Sequence, residues 1–136
     1  MYNPRFPHKL KVWRGRLDAY GDPVVDADGK PVMDPVPLTM VYTLDGDPQL
    51  NADGSFMTLP PVTEINYGLR TNTRNSQTAG DVATSDYMLA CPMFVTPLVF
   101  GDVLEMTDYD HTFMCRVIRK QDSNWGSNIW CNEIRN

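Results

Sequence analysis

The sequence has almost nothing that chemistry usually requires. Its 136 residues hold only two histidines, His8 and His111, and neither has a metal-ligand partner at helical spacing. No H-E-x-x-H, G-x-S-x-G, Walker A or G-x-G-x-x-G pattern occurs, which removes the common hydrolase, phosphate-loop and dinucleotide signatures. The three cysteines, Cys91, Cys115 and Cys131, are odd in number and show no C-x-x-C spacing. Cys115 and Cys131 fall within apolar strand patterns, as small buried hydrophobes do, and a reducing cytoplasm is the expected compartment. No apolar run approaches membrane-spanning length, and the Pro-broken opening Met1–Arg5 lacks the apolar core of a signal peptide. Long helical periodicity is also missing, so the reading that remains is short strands joined by turns, in keeping with 11 prolines and 9 glycines.

The charge is uneven. Net charge is −5, against a general nucleic-acid binder. Residues 1–17 nevertheless carry Arg5, Lys9, Lys11, Arg14 and Arg16 with no acid. A basic N-terminal arm (about residues 1–8) on an acidic body is expected to dock on an acidic neighbour, including another copy of the chain. The plainer alternative is a solvated terminal strand. Pro4 and Pro7 confine the arm to an extended path, and Phe6 and Trp13 offer apolar anchors.

Seven or eight short strands are predicted. Lys9–Leu17 places Leu10 and Val12 on one face. Val36–Leu44 reads as a continuous second strand, and Thr63–Arg70 alternates with Ile65 and Tyr67 together. Val82–Ala90 returns as a strand, Met93–Thr96 reads as an edge strand or covering segment, and Gly101–Lys120 reads as a hairpin turned at Asp108–His111. Its second strand puts Phe113, Cys115 and Val117 on the buried face and Met114, Arg116, Ile118 and Lys120 on the other. A loop over Gln121–Asn128, with Trp125 at its tip, leads to a last strand at Ile129–Ile134, where Trp130 reads as core. The expected fold is a single all-β domain, a small partly closed barrel or sandwich with long loops.

Two segments stand apart from this pattern. Asp18–Val24 is echoed by Asp26–Val32 and more loosely by Asn51–Ser55, each an Asp-Gly turn inside a turn-rich excursion over 18–54. Neither Gly29 nor Gly54 fits the EF-hand frame, because the first and twelfth ligand positions are not carboxylates, so turn chemistry explains these aspartates and no metal is expected. Thr71–Asp81 is a polar surface loop holding Arg74, Asn75 and Gln77, expected to be mobile in the free subunit and ordered on assembly. Asp108, Asp110 and His111 could be written as an acid–base cluster, but such residues populate exposed turns, and no enzyme activity or cofactor is expected.

From Thr63 to Ile134 the layout resembles the small all-β neck proteins of tailed bacteriophages, the head-closure or stopper proteins. The resemblance rests on the strand leading into Thr71–Asp81, the Gly101–Leu104 strand start, the turn and strand over Tyr109–Val117, and the final strand at Ile129–Ile134. It implies a virion protein assembled as a homo-hexameric ring between portal or adaptor and tail. A long loop from each subunit would then point into the lumen to help retain packaged DNA, which passes through it without sequence-specific binding. On that reading the interface candidates are Arg5, Phe6, Lys9, Lys11, Trp13, Arg70, Arg74, Asn75, Gln77 and Trp125. A different class, a carbohydrate- or ligand-binding β-sandwich using Trp125 and Tyr109 as stacking platforms, is the alternative.

Overall fold

Alternation with a period of two places every second side chain of a strand on one face, and here six strands wrap that face inward. The computed structural model describes residues 6–70, 86–123 and 126–134. Its strands are β1 (His8–Gly15), β2 (Met33–Pro35), β3 (Thr43–Leu44), β4 (Asp47–Pro48), β5 (Ile65–Arg70), β6 (Tyr87–Cys91), β7 (Val103–Asp108), β8 (His111–Ser123) and β9 (Gly126–Glu133). No helix forms among the described residues.

β1, β5, β6, β9, β8 and β7 pair in that order, and β7 pairs back onto β1, so the sheet closes into an all-antiparallel six-stranded barrel. Closure leaves the barrel no free edge to pair with another chain. β2 is the seventh strand. It takes the C-terminal half of the β1 edge whose N-terminal half pairs with β5. β7, β8 and β9 form two successive hairpins, and β9 lies beside β6, which is the Greek-key arrangement. The connection from β6 to β7 must therefore cross one end of the barrel.

Each barrel strand sends two side chains into the interior: Leu10 and Val12, Ile65 and Tyr67, Leu89 and Cys91, Leu104 and Met106, Cys115 and Val117, Ile129 and Cys131. Full burial of the large ones contributes about 1.5–3 kcal/mol each. The barrel is filled by side chains, as small barrels are, and is not itself a conduit. Phe94, Leu38 and Val36 join the same cluster, with Phe94 fully buried on the crossing segment.

The structure corrects three local expectations. Val36–Leu44 is not one strand: Leu38 bridges Val62, Met40 bridges Phe94 and Val41 bridges Thr58. Pro35 and Pro37 have no amide to donate, so this stretch meets different partners in short steps. The loop expected over Gln121–Asn128 is mostly strand, since β8 runs to Ser123 and β9 begins at Gly126. Lys120 does not share the solvent face of Met114 and Arg116. A bulge between Val117 and Arg119 shifts the register, so Lys120 pairs with inward-facing Ile129. Its ammonium donates to the Phe94 carbonyl at 2.9 Å and lies 4.5 Å from the Phe94 ring. Trp130 is buried, yet it alternates with Ile129 and Cys131 and so sits on the barrel's outer face, 5.4 Å from the Arg119 guanidinium.

The excursion is a set of three like turns. Leu17 bridges Pro23, Val25 bridges Pro31 and Leu50 bridges Phe56, each across five residues. In each turn the glycine amide donates back at 3.0 Å, to Asp18, Asp26 or Asn51. The glycines, Gly21, Gly29 and Gly54, have φ of 84°, 79° and 89°, which L side chains adopt at a cost. Asp18 Oδ1 accepts from the amides of Tyr20 and Asp22, and Asp26 Oδ1 accepts from those of Asp28 and Lys30. The aspartates at the turn starts are therefore used by the backbone, as turn chemistry requires.

Candidate functional site at the barrel mouth

Carrying the inward alternation one step beyond the core pairs brings a different set of residues to one end of the barrel. These are His8 before Leu10, Asp108 after Met106, Phe113 before Cys115, Tyr87 before Leu89 and Glu133 after Cys131. They fall into two groups. In the first, His8 Nδ1 lies 3.1 Å from Asp108 Oδ1, and the His8 ring packs 5.2 Å from both Tyr67 and Tyr109, edge-on to the latter. His8 Nδ1, Asp108 Oδ1 and the Tyr67 hydroxyl are buried without an aligned hydrogen-bond partner among the described residues. In the second, Tyr87 donates to Glu133 Oε1 at 2.8 Å, and Phe113 packs between Tyr87 and a stacked His111.

Like His111, Tyr109 is exposed, at 79%. It is the first residue of the two-residue turn between β7 and β8, with φ of 56°. Hairpin turns of this length favour Gly, Asn or Asp where φ is positive. A tyrosine there holds strain of order 1–2 kcal/mol, a pattern found at recognition and switch positions.

Burial and bonding raise the phenols at this end and the Cys91 thiol at the opposite end of the barrel. The Glu133 hydrogen bond, with burial second, holds the Tyr87 phenol up at about 12. Burial pushes the Cys91 thiol up to about 12 and raises the Tyr67 phenol further. Groups raised on folding contribute stability that is complete below their unfolded values and is lost as pH rises through the folded ones. Those unfolded values are 9.0 for the thiol and 10.0 for the phenol. Folding free energy is thus expected to be level from neutral pH to about pH 9 and to fall between there and pH 12. Urea unfolding at pH 8 and pH 10.5 checks this, and Tyr87→Phe with Cys91→Ala should reduce the loss, the shares of Tyr67 and Cys131 remaining.

The interface candidates are scattered. Arg5, Arg74, Asn75, Gln77 and Trp125 lie outside the described residues, as does the whole of Thr71–Asp81. Arg70 ends β5 opposite Met88. Phe6 is half-buried just before β1. Lys9 is exposed and donates to Asn66 at 3.0 Å. Lys11 sits 4.0 Å from Glu105, and Trp13 is half-buried with its indole N–H unpartnered among the described residues. Two more of the basic residues are engaged within the chain: Arg14 forks onto Asp102 and Arg16 onto Asp34. From His8 onward the basic stretch is therefore a barrel strand, with Lys11, Arg14 and Arg16 facing acids of their own chain.

Two features escape a reading of the sequence. The His8–Asp108 contact joins residues a hundred positions apart, and Asp108 meets His8 rather than Asp110 or His111. Carrying the Leu10–Val12 alternation back to His8 was the available signal. Asp102 is only 2% exposed, and nothing in Gly101-Asp102 marks it as an anchor. Among the described residues no group of three metal-ligating side chains comes together. Comparison with protein-family models, with curated proteins and with solved structures finds no match.

Proposed function

We propose that the chain is a structural subunit of a tailed-bacteriophage neck, a head-closure ring protein joining portal or adaptor to tail. The observation that carries the reading is the division of the molecule into a closed barrel with a filled interior and an outer lobe of pinned turns. Such a body presents loops and surfaces rather than a reaction centre. In a ring of such subunits DNA passes between barrels and not through them. The acidic excess leaves that path without a phosphate-gripping surface. Residues 1–7, which precede β1 in the chain, remain the candidate for a contact with a neighbour.

The test is native mass spectrometry of the purified chain, alone and with the portal and tail proteins encoded beside it. A ring of about six copies that binds the portal assembly is expected, the number being what the resemblance implies. A chain that neither forms a ring nor binds any of those proteins would overturn the reading. A second reading, a ligand-binding module, is favoured by strained, exposed Tyr109 at the barrel mouth. Saturable glycan binding by a monomer, lost on Tyr109→Ala, would select it.

A further inference from the structure

Among the described residues, the two most exposed aromatics outside the barrel mouth are Tyr20, at 90%, and Phe100, at 79%. Neither covers the other within the chain. Tyr20 stands at the tip of the first pinned turn, between Asp18 and Asp22. Its amide is bonded to the Asp18 carboxylate at 2.8 Å, and Gly21 and Asp22 are bonded into the same turn. An aromatic on a tip already fixed in this way loses little further freedom on binding, which is how interface anchors gain affinity.

Phe100 borders a groove of about 370 Å³ beside β8 and β9, which Ile118 and Ile134 line with apolar surface. Arg116 lies in the same groove. Its one described bond is a long one to the Gly101 carbonyl, at 3.3 Å, and no acid among the described residues is within ion-pair reach of it. Glu133 also lines the groove, but its carboxylate accepts from Tyr87 and makes no ion pair with Arg116, so the groove combines apolar walls with a cation unpaired among the described residues. Charge is divided to match. Residues 16–64, which include the turns, hold nine acids against Arg16 and Lys30, whereas the rest of the chain is net positive by two.

We propose that the Tyr20 turn of one copy seats in the Phe100–Ile118–Ile134 groove of a second copy, with Asp22 meeting Arg116. Tip and groove are different patches, so the contact is head-to-tail. Contacts of that type close into rings when the rotation allows. The inference rests on the ring reading above and names the surfaces that would build the ring. It needs neither residues 1–5 nor a portal.

The experiment follows assembly of the full chain against concentration by native mass spectrometry and sedimentation, with circular dichroism to confirm folding. Tyr20→Ala and Phe100→Ala should each raise the concentration for half-assembly at least tenfold. Asp22→Lys and Arg116→Glu should do the same singly, while the double charge reversal should recover most of the loss, since coupled pairs are non-additive. Assembly that is unchanged in all four single variants, or a double reversal no better than its parents, would overturn the contact. A chain that assembles normally in these variants and still binds the portal leaves the neck reading standing and this interface wrong. A chain that assembles through these residues yet binds no portal or tail protein keeps this interface and removes the neck reading.

Discussion

Gly126→Ala is expected to cost about 3–5 kcal/mol, a large fraction of the stability of an ordinary domain. Two independent effects add. Gly126 has φ of 145°, a conformation left almost entirely to glycine, and a side chain there costs about 1–3 kcal/mol. A Cβ at this position would also lie 2.3 Å from the carbonyl oxygen of Cys91 and 3.4 Å from its carbon. That obstacle is backbone of β6, which cannot turn aside as a side-chain tip can, and forced overpacking costs about a further 1–3 kcal/mol. The consequence reaches beyond one contact because Gly126 opens β9 where β9 meets β6, the pairing that completes the Greek key. Next to it Ser127 Oγ donates to Asp122 Oδ1 at 2.6 Å and accepts from the Phe94 amide at 3.2 Å. Lys120 bonds both Asp122 and the Phe94 carbonyl. The crossing segment is thus tied to the β8–β9 hairpin at the place the methyl would enter. Urea unfolding followed by tryptophan fluorescence measures the loss. A variant within about 1 kcal/mol of the parent would show that β6 and β9 can separate locally at no great expense.

That close approach illustrates what the amino-acid order could and could not convey. Strands whose partners alternate cleanly were legible: Ile65 with Tyr67, and Cys115 with Val117, point inward as their period of two requires. The Asp-Gly repeats were legible as well, because a turn of five residues is decided by its own glycine and its own carboxylate. Closure was legible too, as the expectation of a small partly closed barrel or sandwich, but the strand order was not. The order β1-β5-β6-β9-β8-β7 depends on which distant edges meet, and no local pattern encodes that. The bulge after Val117 was invisible for the same reason. It inserts one residue into a run whose chemistry is unchanged, and so turns Lys120 from solvent to the Phe94 end. At the mouth, His8, Asp108 and Tyr67 looked respectively like an arm residue, a turn residue and a core residue. Only closure of β1 onto both β5 and β7 makes them neighbours.

Arg14→Met is expected to be more damaging than removing its partner, by the logic of which charge is left behind. Asp102 has a side chain only 1% exposed, while that of Arg14 is 41% exposed. Arg14 Nε and Nη2 donate to the two carboxylate oxygens at 2.8 Å each, and Nη2 reaches the Pro97 carbonyl at 3.2 Å. The Val99 amide donates to Asp102 Oδ2 at 3.0 Å, and the Asp102 carbonyl accepts from Val117 at 2.8 Å. This carboxylate therefore fixes the end of the crossing segment, the start of β7 and the end of β1 together. Without Arg14 it stays buried with a single amide donor, and an uncompensated buried charge costs about 3–5 kcal/mol. Without Asp102 the guanidinium can turn to water, so Asp102→Asn should cost less, about 1–3 kcal/mol for the lost charge-assisted bonds. The double variant should be more stable than Arg14→Met alone, because a neutral amide is cheaper to bury than an unpaired carboxylate. Urea denaturation of the four proteins at pH 7 closes this cycle. Equal losses in the two single variants, with simple addition in the double, would mean that Asp102 is not held by Arg14 and that the β1–β7 closure draws its strength elsewhere.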